Sequence, residues 1–195
     1  MAKKIKQSPK LPADERKRQL LMSAQSLFIQ KGYRDTTVDE IAKKAGVTKG
    51  ALYFHYKSKE DMLFELMKHV TMHYYHALME NKERLKTPAD FLMTFLDKGT
   101  SPCKEHEEIA YSLDFWVQAI SIPRIKKYVN QHFDKMVDFF ADTIDKSYGS
   151  RAERKDLAVL IYSLVDGFVV RQVSYPQVLD MKKQKKLLDK LFKSK

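Results

Sequence analysis

GYRDTTVDEIAKKAGVTKGALYFHYKSKEDML, running from Gly32 to Leu63, carries three helix starts in one short stretch. Thr37-Val38-Asp39-Glu40 has the form of a capping box, in which a threonine hydroxyl takes a free helix N–H and a glutamate three residues on reaches back. It predicts a helix from Thr37 to about Ala45, broken by Gly46. Thr48 can cap a second short helix through Tyr56, and Ser58, with Asp61 three residues later, starts a longer one.

Two short helices joined by Ala45-Gly46-Val47 have the layout of a helix-turn-helix, whose second member enters the DNA major groove. In that member Leu52 and Tyr56 are four apart and share the inner face. Lys49, Tyr53 and Phe54 are left mainly outward, with Thr48 and Gly50 at the N-terminus, where free N–H groups and the positive dipole end attract phosphate. Gly50 has no side chain to hold the helix off a DNA backbone. Lys49, Lys57 and Lys59 can neutralise phosphates, the Tyr53 hydroxyl can donate to one, and aromatic faces can lie against sugars or thymine methyls. The competing reading buries all four rings of Tyr53-Phe54-His55-Tyr56 in a core and leaves the lysines to solvate it.

Helical periodicity extends in both directions. Upstream, Leu20, Leu21, Ala24, Leu27 and Phe28 form the stripe of a first helix that Gly32 can end. Downstream, Leu63, Leu66, Met67, Val70, Tyr74, Ala77 and Leu78 line the helix begun at Ser58, which can reach about Leu85. Thr87-Pro88 starts a helix through about Lys98, proline being suited to a first helical position. GTSPCK reads as a loop, a helix from about Lys104 to Ile120 follows, and Pro123 opens one lined by Ile125, Val129, Phe133, Met136, Phe140 and Ile144. Gly149 ends that helix, Ser150 with Glu153 makes another capping box, and Ser174-Tyr175-Pro176 starts the last helix. No convincing strand alternation is present. The reading is all-α with about nine helices: a basic flexible arm (1–12), a three-helix helix-turn-helix DNA-binding domain (13–58) and a larger helical bundle for ligand binding and dimerisation (59–195).

The 195 residues, 44% of them apolar, suffice for a buried core. Residues 1–60 hold fourteen Lys/Arg against six acids, a surplus of eight that leaves only three of the net +11 to the rest. Such asymmetry indicates a polyanion-binding end, nucleic acid or an anionic membrane surface. The single cysteine, Cys103, excludes an internal disulfide framework and points to a reducing compartment. No apolar run approaches the ~18–20 residues of a membrane span, and no apolar segment follows the basic MAKKIKQSPK, so a cytoplasmic protein is expected. There is no GxSxG elbow, HExxH, phosphate-binding glycine loop or CxxC pair, and six glycines leave few ligand-cradling turns. An enzyme is therefore not expected, nor a cofactor.

The stretch from Gly32 to Leu63 resembles the N-terminal domain of TetR-type transcriptional repressors. Gly32-Tyr33, Thr36-Thr37-Val38, Ile41-Ala42, Ala45-Gly46-Val47, Leu52-Tyr53 and Ser58-Lys59-Glu60 fall at that family's separations, and the likeness spans about Arg16 to Leu66. The resemblance implies an all-helical homodimer in which three N-terminal helices bind DNA, a larger C-terminal domain binds a small molecule and dimerises, and bound ligand changes the spacing of the two DNA heads. It implies that Thr37 holds a phosphate, that Thr48, Lys49, Gly50 and Ala51 meet bases and backbone, that Tyr53 and His55 contact phosphates, and that Lys59 clamps one more. Phe54 departs from the Tyr or His common at its position, and a phenyl ring makes no polar contact there.

Past Leu85 the resemblance weakens. The run from Leu113 to Ile144 resembles the C-terminal domains of regulators related to the choline-responsive repressor, and no ligand is carried over from it. Taken from its residues, the region is a bundle rich in large rings, with Tyr74, Phe95, Tyr111, Phe115, Trp116, Phe133 and Tyr162 as pocket candidates. Aromatic walls with a few polar groups suit a pocket between helices, and equally an ordinary core. His69, His73 and His76 can align three imidazoles along one face, but no carboxylate or cysteine is tied to them by sequence, and a solvated face with no metal is the common explanation. By the same resemblance the last two helices form the dimer seam, with Leu164, Gly167, Phe168, Leu187, Leu188 and Leu191 in it. The final helix is also basic and amphipathic, a pattern that can lie on an anionic membrane, yet dimerisation accounts for its apolar side without one.

The expectation is a sequence-specific DNA-binding repressor, a homodimer on a near-palindromic double-stranded operator, released by a small-molecule effector. The alternative is an architectural DNA-binding or adaptor protein of the same fold with no small-molecule input.

Overall fold

The computed structural model describes residues 11–99 and 113–174, together with Lys183, Lys186, Leu187, Lys190 and Leu191. Among them lie eight α-helices and no strand: α1 (Ala13–Lys31), α2 (Val38–Lys44), α3 (Lys49–His55), α4 (Lys59–Glu80), α5 (Pro88–Gly99), α6 (Leu113–Ser121), α7 (Pro123–Thr143) and α8 (Arg151–Ser174). The all-α class expected from periodicity is what they show. Lys183, Lys186, Leu187, Lys190 and Leu191 are also helical, within the span expected of the last helix. Residues 1–10 of the expected arm, the loop around Cys103 and the expected helix start at Lys104 lie outside the described residues.

The caps are local chemistry. Gly32, at φ +85°, ends α1 and donates its N–H to the Phe28 carbonyl. At α2 the box is complete: Thr37 Oγ1 accepts from Glu40 N–H at 3.3 Å, and Glu40 Oε2 accepts from Thr37 N–H at 2.8 Å. Thr48 Oγ1 caps α3 through Ala51 N–H at 3.2 Å, and Ser58 Oγ caps α4 through Asp61 N–H at 3.1 Å. Ser150 and Glu153 form the corresponding box at α8. α4 stops at Glu80, short of Leu85, because the Asn81 amide donates back to the Ala77 carbonyl and the chain tightens into a 3-10 turn at Lys82–Arg84.

The chain divides into two compact units. The first holds residues 11–70 and 113–126, so it continues beyond residue 58 and includes α6. Its buried side chains include Leu20, Ala24 and Phe28 of α1, Ile41 of α2, Leu52 of α3, and Met62, Leu63 and Leu66 of α4. Each fully buried Leu contributes on the order of 1.5–3 kcal/mol over an exposed one. The second unit, residues 71–99 and 127–174, closes around Leu78, Phe91, Leu92, Met136, Phe140, Ile161 and Tyr162. No helix among the described residues is long and apolar enough to cross a membrane.

Candidate nucleic-acid interface

α3 is seven residues long, and its two faces separate sharply. Leu52 is fully buried and Tyr56, at the C-cap, nearly so, its hydroxyl donating to the Lys17 carbonyl at 3.4 Å. Thr48, Lys49, Gly50 and Ala51 are exposed, Tyr53 is 45% exposed and Phe54 83%. His55 is half-buried with its ring edge-on to Phe54. The four-ring core is thereby excluded: one aromatic anchors the helix and two project from it.

Charge surrounds this face. Lys49 Nζ lies 3.0 Å from Asp39 Oδ1 of α2, a pair with both side chains more than half exposed. The Asp39 carboxylate raises the lysine pKa, chiefly through that hydrogen bond. Exposed pairs of this kind are worth little, so a phosphate can replace the carboxylate at small cost. Thr37 is exposed, but its hydroxyl donates to Glu40 Oε2 at 2.8 Å as well as capping α2. Glu40 is itself held by Lys31 at 2.6 Å. A cleft of about 330 Å³ opens beside the end of α3, where Arg124 lies over the Phe64 ring and Lys17 and Lys68 share Glu65.

Lys59 is placed differently from the phosphate clamp that resemblance implies. Its Nζ donates to the carbonyls of Tyr33 at 2.6 Å, Thr36 at 2.7 Å and Arg34 at 3.1 Å, and stands over the Tyr33 ring at 4.3 Å. Those three bonds use all the hydrogens of an ammonium, and burial lowers its pKa. Lys59 thus holds the loop that presents Thr37, a positioning role.

Sequence reasoning missed a second support of that loop. Asp114 of α6 accepts the Tyr33 N–H at 2.9 Å, Gln118 accepts from Arg34 Nε at 3.2 Å, and Gln118 donates to Asp114 at 3.2 Å. Arg124 binds Asp61 at 2.8 Å near the start of α4. The loop lies more than eighty residues from Asp114 and Gln118, and no local pattern announces such pairs.

The pocket candidates are divided between the units. Phe115 is buried and Trp116 half-buried in the first. In the second, Tyr74 packs against the core, Phe133 is partly exposed and edge-on to Tyr162, and the buried Tyr162 hydroxyl donates to the Met136 carbonyl. The Phe95 side chain and Tyr111 lie outside the described residues. In the same unit, His132 is edge-on to Tyr75 and stacked with Tyr128, and it hydrogen-bonds the Thr71 backbone while its buried Nε2 has no partner. Of the seam candidates, Leu164 and Phe168 are half-buried against the second core and Gly167 is open, while Leu187 and Leu191 are exposed; Leu188 lies outside the described residues. His69 is 3.9 Å from Glu65, and no metal-binding group of three His, Cys, Asp or Glu occurs among the described residues.

A capped short helix following a second short helix across a tight turn, with its outer face exposed on a compact helical unit, has the layout of the helix-turn-helix class. Residues 20–66 match the bacterial regulatory proteins of the tetR family, and residues 88–194 match the C-terminal region of BetI-type transcriptional repressors. The chain belongs to the tetR family. It is similar to the HTH-type transcriptional activator FasR of Mycolicibacterium smegmatis, 30% identical over 152 residues that cover 74% of this chain and 66% of that protein. A transcriptional regulator from Saccharomonospora viridis, solved in complex with choline, shares the fold at 20% identity, with a TM-score of 0.69 over 90% of this chain and 94% of that one. FadR of Bacillus subtilis, solved with stearoyl-CoA, does so at 20% identity, with a TM-score of 0.67 over 89% and 95%. The chain spans about two thirds of the length of FasR and about half that of two HTH-type regulators of Bacillus subtilis.

Proposed function

We propose that this protein is a transcriptional repressor that binds a near-palindromic operator as a homodimer and is released by a small-molecule effector held in the helices beyond the DNA head. The observation that carries the reading is the outward face of α3, where Lys49, Gly50, Ala51, Tyr53 and Phe54 stand exposed on a helix fixed from behind by Leu52 and Tyr56. Two copies would set two such helices in successive major grooves, about 34 Å apart. Exposed Leu160 and Val170 on α8, with the open Gly167, support a seam that a second copy covers.

For the effector, the support is the ring-rich second unit and the unpartnered His132 nitrogen, a polar group of the kind that orients a ligand in an apolar pocket. Choline and stearoyl-CoA, bound by two proteins of this fold, differ too much in chemistry to name the ligand here. A coupling of ~1–3 kcal/mol between effector and DNA would weaken operator binding about 5–150-fold. The match of residues 88–194 to repressors favours repression.

The test is enrichment of duplexes from a random pool by the purified chain, followed by a screen for small molecules that release the enriched site. A two-fold symmetric site and a releasing compound support the proposal. Equal, weak binding to every duplex overturns it, and a symmetric site that no compound releases favours the architectural alternative.

A further inference from the structure

The outermost strip of α3 carries no hydrogen-bonding side chain. At about 100° per residue, Phe54 lies roughly 160° round the helix from the buried Leu52, and Gly50 and Ala51 fall within about 60° of it. All three are exposed, and the Phe54 ring has its contact with its own neighbour, His55, centroids 5.2 Å apart. Gly50 has no conformational reason to be glycine: its φ is outside the left-handed region, and an added Cβ would meet nothing nearer than Thr48 Oγ1 at 4.0 Å. The strip is therefore low at Gly50 and Ala51 and raised one turn later at Phe54. Lys49, paired with Asp39, and Lys57 stand exposed at either end of α3, and Lys43 and Lys44 at the end of α2 are exposed as well.

That pattern complements a major groove, with positive charge where phosphates run and an apolar ridge where base edges lie. Guanine, adenine and cytosine present hydrogen-bonding groups there, and the feature suited to a phenyl ring is the C5 methyl of thymine. We propose that Phe54, with Gly50 and Ala51 permitting close approach, reads a pyrimidine C5 methyl in each half-site, so that thymine or 5-methylcytosine is preferred at that base. The inference rests on the DNA-binding reading and adds to it the chemical group that is read.

Deoxyuridine isolates the methyl, because it pairs as thymidine does and lacks only that group. In an enriched duplex, replacing thymidines one at a time should reveal one position per half-site where affinity falls about fourfold, the value of one buried methyl, and about fifteenfold when both half-sites are changed. At the same position, 5-methyldeoxycytidine should bind more tightly than deoxycytidine. Phe54→Ala should bind the thymidine and deoxyuridine duplexes alike, and since the ring is exposed the variant keeps its melting profile. An enriched operator with no deoxyuridine-sensitive position, or one whose sensitivity survives in Phe54→Ala, overturns this inference alone. Failure to enrich any duplex overturns the DNA-binding reading and this inference with it.

Discussion

Gly50→Ala separates what α3 needs in order to fold from what it needs in order to bind. Glycine inside a helix costs about 0.5–1 kcal/mol relative to alanine, and the second position of a short helix belongs at the low end of that range. The new methyl meets open space, with Thr48 Oγ1 at 4.0 Å as its nearest neighbour. The variant should therefore be more stable by about 0.5 kcal/mol, raising Tm by roughly 1–2 °C for a chain of this size. On the operator the same methyl stands between the helix and the DNA. Overpacking of a close contact costs about 1–3 kcal/mol, equivalent to about 5–150-fold in affinity per half-site. A thermal melt and an anisotropy titration against the enriched duplex measure the two effects on one preparation. A variant that melts higher and binds like the wild type would show that DNA does not approach this face. One that melts lower would show that the fold itself requires the glycine.

Lys49→Ala should weaken binding about equally for all duplexes and reduce the slope of log K against log salt by about one, with melting unchanged because its partner Asp39 is exposed; an unaltered slope removes Lys49 from the interface. Lys59→Met should instead lower stability by about 1–3 kcal/mol, since the carbonyls of Tyr33, Arg34 and Thr36 lose a charged donor. Wild-type melting with a reduced salt slope would return Lys59 to the phosphate role. Glu40 gives a pH dependence: hydrogen bonds from Lys31, then from the N–H and hydroxyl of Thr37, hold its carboxyl down to about 2, below the usual 4.5. Its contribution is complete above about pH 4.5 and is lost as pH falls toward 2. The urea midpoint of the wild type should exceed that of Glu40→Gln most at pH 6, with the gap closing by pH 2, and a gap independent of pH refutes the assignment.

The parts legible in the sequence are those decided within four residues. Thr37 with Glu40, Thr48 with Ala51, Ser58 with Asp61 and Ser150 with Glu153 cap helices where their spacing says they should, because a cap needs only its own first turn. The split of α3 into a Leu52 side and a Phe54 side follows from helical period in the same way. Lys59 was illegible for the opposite reason. Its ammonium is placed by the fold against carbonyls 23 to 26 residues earlier, so a lysine that reads as surface charge becomes a brace. Asp114 and Gln118 are further cases, polar residues whose partners on the loop before α2 are reached only when α6 packs into the first unit. Tyr162 shows the limit of composition as a guide to pockets: its hydroxyl is satisfied inside the core by the Met136 carbonyl, and ring content alone does not distinguish the two settings.

The central claim is that the outward face of α3, anchored from behind by Leu52 and Tyr56, is the surface that meets DNA. Amide hydrogen exchange of the full chain, alone and saturated with the enriched operator, tests it most directly. The account predicts slower exchange across residues 33–57 in the complex, strongest in α3, with the core of the second unit little changed. Exchange in α3 that is indifferent to operator, with protection appearing elsewhere, would contradict it.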